Sequence, residues 1–185
     1  KLYAFHIVKN YRESYGLFAV NGILFNHESE RRGSTFVTKK ITEGLIKYLK
    51  DRTPFYLGNV YAKRDWGYAP DFVEAMWMML QQEKPENYVI ATGETHTIKE
   101  FVDEAIKYTP FAGKVQWVGE GIEEKLMYNN IILIEINPKY YRPAEVEHLV
   151  GDAYKAKTEL GWKPSTTFHE LVRKMMIWDL EHFIR

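Results

Sequence analysis

Four short stretches of this 185-residue chain carry side chains suited to chemistry. The first, Asn26-His27-Glu28-Ser29-Glu30-Arg31-Arg32-Gly33, places a histidine and two arginines directly after an apolar run. Guanidinium groups hold phosphates and carboxylates through paired N–H donors, so this loop suits an anionic ligand. It reads equally as a solvated charged loop. The second, Arg64-Asp65-Trp66-Gly67, stands before a helical pattern. An arginine beside a helix N-terminus can hold a phosphate, or it can pair with Asp65 or Asp71. In the third, Tyr141 to Glu147, Arg142 and Glu145 suit a phosphate and a ribose hydroxyl respectively, or one another. The fourth, Lys1 to Phe5, opens a helix with a lysine and by itself indicates nothing further. His96, His148 and His169 share no metal-ligand spacing. Met76-Trp77-Met78-Met79 reads as helix packing. With no cysteine in the chain, thiolate chemistry, disulfides and thiolate metal sites are excluded.

The elements that must position these groups alternate in type. Ala4, Val8, Tyr11 and Tyr15 recur on one helical face, and Gly16 stops that helix. No N-cap residue precedes it, so the element is expected to continue upstream of Lys1. Leu17 to Phe25 predicts a strand buried on both faces. A helix is expected from Phe36 to Leu49, a short strand over Phe55 to Leu57, and a helix over Tyr68 to Gln82. Tyr88 to Ala91 reads as a strand. Thr97 and Glu100 then form a capping box before a stripe of Ile98, Phe101, Val102, Ala105 and Ile106. Lys114 to Val118 and Ile131 to Ile136 are strand candidates, with Gly119 to Asn130 between them expected as a loop. Asp152 caps a short helix ending at Gly161, and Thr167 with Glu170 opens the last one. Strands alternating with helices imply an α/β fold with a largely parallel sheet.

Lysines and arginines number 25 and so do aspartates and glutamates, which gives no general attraction to nucleic acid or to a membrane surface. No apolar run reaches transmembrane length. No G-x-G-x-x-G occurs, so the residues alone do not suggest a dinucleotide.

Three segments together carry a resemblance. Asn10 to Ile41 (NYRESYGLFAVNGILFNHESERRGSTFVTKKI), Leu57 to Val102 and Tyr140 to Pro164 (YYRPAEVEHLVGDAYKAKTELGWKP) are similar to GDP-mannose 4,6-dehydratases, members of the extended short-chain dehydrogenase/reductases. The resemblance implies the C-terminal part of an NADP-binding Rossmann fold plus the smaller sugar-nucleotide-binding domain. Residues 1–185 are then expected to form one incomplete unit, without the glycine-rich N-terminal half and inactive alone. The implied reaction is dehydration of GDP-mannose to GDP-4-keto-6-deoxymannose, the first step towards GDP-fucose, with NADP as an internal hydride carrier between C4 and C6. Lys1 resembles the lysine of the Tyr-x-x-x-Lys motif, which holds the nicotinamide ribose and lowers the tyrosine's pKa.

By the same resemblance, His27 and Arg32 are NADP contacts. Asn26, Val37, Lys39, Arg64, Arg142 and Glu145 are GDP-mannose contacts, with both arginines on the pyrophosphate, and Leu57, Gly58 and Asn59 pass near the guanine. Glu30 departs from the proline usual before the arginine pair, which implies a looser loop. The family also implies self-association as a dimer or tetramer, and a cytoplasmic setting. Two rivals stand beside this reading: another GDP-sugar epimerase or reductase, and a non-catalytic nucleotide-sugar-binding module.

Overall fold

The computed structural model describes residues 1–141 and 146–183. In chain order the elements begin α1 (Leu2–Tyr15), β1 (Asn21–Leu24), β2 (Asn26–Glu28), α2 (Val37–Asp51), β3 (Phe55–Leu57), β4 (Lys63–Arg64), β5 (Trp66–Tyr68) and α3 (Ala69–Leu80). They continue β6 (Asn87–Ile90), β7 (His96–Thr97), α4 (Ile98–Ile106), β8 (Val115–Val118), β9 (Lys125–Tyr128), β10 (Ile131–Ile136), β11 (His148–Leu149), α5 (Tyr154–Glu159) and α6 (Phe168–Phe183). The chain divides into two compact units, each built from three separated segments.

The first unit comprises Lys1–His27, Asp65–Glu94 and Val150–Thr167. β1 and β6 pair in parallel, Asn21 opposite Asn87 through Leu24 opposite Ile90. Phe72, Ala75 and Met79 lie at helical spacing on α3 and bury their side chains with Tyr88, Ile90, Ala156, Leu160 and Trp162. Asp71, in the first turn of α3, ties down the last segment. Its carboxylate accepts hydrogen bonds from Ser165 N (3.1 Å), Ser165 Oγ (2.6 Å) and Thr166 N (3.0 Å), while Trp162 Nε1 donates to its carbonyl (2.9 Å). The expected strand over Leu17 to Phe25 is shorter and less enclosed. Only Asn21–Leu24 is strand, and Leu17, Phe18 and Ile23 remain exposed. Among the described residues β1 has a partner on one edge only, so its apolar side chains are half covered. The apolar face of α1 is likewise unburied, although the helix ends as expected at Gly16 with φ 65°.

The second unit comprises Glu28–Arg64, Thr95–Leu149 and Phe168–Arg185, described to Phe183. Its four-stranded sheet runs β3-β10-β9-β8. β10 is parallel to β3 but antiparallel to β9, and β8 is antiparallel to β9. This sheet is therefore mixed rather than largely parallel. β9 lies inside the stretch expected as a loop. Asn129 and Asn130, at φ 49° and 62°, make a two-residue turn that returns the chain into β10. Positive φ at both central positions fits the right-handed twist of a hairpin, and asparagine tolerates it. Helices α2, α4 and α6 pack on one another around Ile41, Leu45, Phe101, Ala105, Leu171 and Met175, all essentially inaccessible. The capping box of α4 is formed, with Glu100 N to Thr97 Oγ1 at 3.0 Å and Thr97 N to Glu100 Oε2 at 2.6 Å. No helix among the described residues is long and apolar enough to cross a membrane.

Candidate functional site

The arginine loop turns out to be built rather than loosely solvated. Glu28, 2% exposed, ends β2 with its carboxylate inside the second unit. Thr38 Oγ1 donates to its Oε2 at 2.5 Å. Arg32 Nε lies 3.1 Å from the same oxygen, an ion pair without the alignment of a hydrogen bond. The Arg32 guanidinium also stacks on the Phe36 ring, 3.5 Å from its centroid. In the first unit, His27 Nδ1 lies 2.8 Å from the Phe25 carbonyl, and the ring stacks on Phe72 with centroids 5.2 Å apart. A carbonyl only accepts, so Nδ1 carries a proton and points Nε2 away from that bond. Asn26 is half-buried in β2, and Lys1 is exposed at the start of α1 without a side-chain cap bond.

The two consecutive lysines in the first turn of α2 part company. Lys39 is 5% exposed, and its ammonium pairs with Asp179 of α6 and donates to the Glu30 carbonyl at 2.8 Å. Lys40, the next residue, lies over the Tyr140 ring at 3.8 Å, and burial lowers its pKa. Tyr140 in turn backs the loop that leaves β3. A Cβ on Gly58 would run into the Tyr140 carbonyl, so only glycine fits there. Leu57 is buried and its carbonyl accepts from Asn137 N at 2.9 Å. Asn59 Oδ1 accepts from Tyr61 N at 2.9 Å and fixes the turn. The loop thus stands beyond the carboxyl end of a strand parallel to its neighbour, where ligands of open α/β sheets bind. Val37 is the half-buried first residue of α2.

Arg64 sits in β4 between β11 and β7, and its Nη1 donates to the Lys63 and Val146 carbonyls at 2.8 and 2.5 Å. The two aspartates offered as its partners are committed inside the first unit. Asp65, inaccessible to solvent, accepts from Thr92 N (2.9 Å), Thr92 Oγ1 (2.7 Å), Gly93 N (3.0 Å) and Gly151 N (3.2 Å). Asp71 holds the Ser165–Thr166 segment. Arg142 and Glu145 lie outside the described residues. Two cavities lie within the separate units. One of ~540 Å³ in the first unit is lined by Thr92, Gly151, Tyr154, Lys157, Trp162 and Lys163 among others. One of ~270 Å³ in the second lies between Glu30 and the Arg173–Glu181 face of α6. No cluster of three or more histidines or carboxylates able to hold a metal occurs among the described residues.

Sequence reasoning singled out Arg32 but not Glu28, Thr38 or Phe36. The Glu28–Arg32 spacing was no signal, since the four-apart rule belongs to a helix and these residues lie at a strand end and in the turn after it.

Solved structures resemble this arrangement. RMD from Pseudomonas aeruginosa, complexed with NADPH, superposes with a TM-score of 0.78 at 16% identity, covering 98% of this chain and 55% of that one. The dTDP-glucose 4,6-dehydratase of Bacillus anthracis, in complex with NAD, gives 0.73 at 17% identity, covering 97% and 50%. The α/β fold is therefore shared with these two proteins. A family model described as GDP-mannose 4,6 dehydratase matches residues 1–175. The GDP-mannose 4,6 dehydratase of Drosophila melanogaster is 55% identical over 98% of this chain and 46% of its own length. The human one is 52% identical over 98% and 49%. The chain belongs to the GDP-mannose 4,6 dehydratase family. It spans about half the length of the curated relatives it matches.

Proposed function

We propose that this chain is the C-terminal, substrate-binding part of an enzyme that dehydrates GDP-mannose to GDP-4-keto-6-deoxymannose, and that residues 1–185 form one incomplete unit of that enzyme. The observation that carries the reading is identity of 55% to a GDP-mannose 4,6 dehydratase across 98% of the chain. NADP, when bound, would supply reversible hydride transfer. The residues present fit such a group. Arg32 offers an oriented guanidinium, and His27 presents Nε2 while its Nδ1 is held by a carbonyl.

In this reading Lys1 supports the catalytic tyrosine of the complete enzyme. Its positive charge favours the phenolate and holds the nicotinamide ribose. Leu57, Gly58 and Asn59 form a fixed wall beside the guanine, and Asn26 and Val37 complete the substrate contacts. Arg64 and Arg142 hold the pyrophosphate, with Glu145 on the ribose. Lys39 is kept among the substrate contacts, although its ammonium is committed to Asp179. Lys40 lies over the Tyr140 ring, which backs the Leu57–Asn59 loop. The enzyme acts as a homo-oligomer in the cytoplasm.

The test is incubation of the full-length protein with GDP-mannose and NADP, read by mass spectrometry. A product lighter by one water supports the reading. A product of unchanged mass assigns an epimerase, and binding without turnover assigns a non-catalytic module. Three variants refine it. Lys1→Met lowers kcat sharply and leaves GDP affinity within about twofold. Arg64→Ala or Arg142→Ala weakens GDP binding by one to two decades, roughly 1.5–3 kcal/mol for a charge-assisted pair. Calorimetric titration of GDP measures both, and unchanged affinity in both arginine variants removes the pyrophosphate assignment.

A further inference from the structure

We infer that Glu28 is a positioning residue. With Phe36 and Thr38, it fixes the Arg32 guanidinium so that its Nη edge receives a phosphate group of the bound cofactor or substrate. The inference rests on reading Arg32 as a ligand contact, and it extends that reading to three side chains with no assigned role.

The geometry points this way on three counts. An arginine side chain has several rotatable bonds, and holding it in one orientation costs entropy unless the protein supplies the restraint beforehand. Here the restraint comes from two directions at once. Phe36 covers one face of the guanidinium at 3.5 Å, and the Glu28 carboxylate lies 3.1 Å from Nε. The two Nη nitrogens make no hydrogen bond among the described residues, while the side chain keeps 23% exposure. A guanidinium held at its Nε side with an unengaged Nη edge is the fork that matches two phosphate oxygens.

The carboxylate is itself restrained. Glu28 is buried, and the Thr38 hydroxyl, 2.5 Å from Oε2, fixes the oxygen that faces Arg32. That hydroxyl belongs to the second residue of α2, so the orientation of Arg32 is referred to a helix rather than to its own loop. A negative charge at the floor also keeps the local field from being purely cationic when no anion is present.

The ligand chemistry is a phosphate oxyanion, and two sources can supply it: the cofactor or the sugar nucleotide. The experiment uses the full-length protein and measures the affinities of NADP, NAD and GDP separately, with kcat and melting temperature alongside, for Arg32→Ala, Glu28→Gln and Phe36→Leu. Glu28→Gln keeps a partner for Thr38 and removes only the charge. Phe36 is half exposed, so its loss leaves the fold intact.

Arg32→Ala is expected to weaken one of the three ligands by about tenfold or more, as for one charge-assisted contact. Glu28→Gln and Phe36→Leu should weaken that same ligand by about three- to tenfold. The Glu28→Gln/Arg32→Ala double variant should be no weaker than Arg32→Ala alone, since a residue acting through another adds nothing once that other is gone. Selective loss of NADP with NAD unchanged identifies the 2′-phosphate. Loss of both dinucleotides identifies the cofactor pyrophosphate, and loss of GDP the substrate. If Arg32→Ala changes no affinity, the ligand role of Arg32 fails and the positioning role with it. If Arg32→Ala weakens a ligand while Glu28→Gln and Phe36→Leu do not, positioning alone is overturned. Additive losses in the double variant also overturn it.

Discussion

At Lys39 the chain buries an ammonium against a carboxylate, Asp179, whose second oxygen has no hydrogen-bond partner among the described residues. Removing one member of such a pair strands the other charge away from water, which costs far more than the pair itself contributes. Lys39→Met is therefore expected to lower unfolding free energy by roughly 3–5 kcal/mol, with much of the loss recovered in Lys39→Met/Asp179→Leu. Urea unfolding of the single and double variants measures this. A single variant as stable as the parent would show that the pair carries no structural weight. Asp65 poses the complementary case, since three backbone N–H groups and a hydroxyl converge on its carboxylate. Asp65→Ala orphans those donors at once, and a loss of about 3 kcal/mol or more follows from the desolvation of unpaired amides. Sequence offered Lys39 as a ligand contact and Asp65 as an arginine partner. Neither burial was legible there, because consecutive helix residues such as Lys39 and Lys40 face directions about 100° apart and only tertiary packing decides which one turns inward.

Between helices α4 and α6, Glu104 makes a polar contact with His169. Burial alone raises its carboxyl, but hydrogen bonds from Lys107 at 2.6 Å and His169 at 2.9 Å outweigh that and hold its pKa below the ordinary value of 4.5. A carboxylate with a depressed folded-state pKa binds its proton less readily when folded. Its contribution to stability is full above the unfolded value and is lost as pH falls through the folded one. Melting temperature should then drop less steeply below pH 4.5 in Glu104→Gln than in the parent, and parallel acid limbs would remove Glu104 from the account. The elements themselves were read well where the signal is local. The α4 capping box, the Gly16 stop and the limits of β3 and β10 depend on a few neighbouring residues. β9 escaped because its pairing is with β8 and β10 and its turn is Asn129-Asn130, without the Asn-Gly or Asp-Gly that marks a two-residue hairpin. Of the site, the arginine and histidine types were legible from loop composition. Glu28 and Phe36 were not, because their roles appear only when the guanidinium is seen between them.

Over the whole molecule, each unit is assembled from three segments, so the chain passes from one to the other five times. Strand β1 depends on β6 for its pairing, and α2 depends on α6 for its packing, across long separations in sequence. A single cut anywhere between residues 28 and 149 therefore leaves both units with pieces on either side of the nick. Limited proteolysis followed by size exclusion under native conditions should show the fragments migrating together and separating only in denaturant. Release of a folded fragment would contradict the interleaving.

The same interleaving constrains how such a chain can be recombined with a relative. A single crossover at the Arg64–Asp65 boundary would join β1 of one parent to β6 of the other, and α2 of one to α6 of the other. Every such chimaera inherits two mismatched cores, whereas exchanging one unit intact requires three segments to be transferred together. Substitutions in Lys1–His27 are therefore expected to couple energetically with those in Asp65–Glu94, because the two segments share one unit.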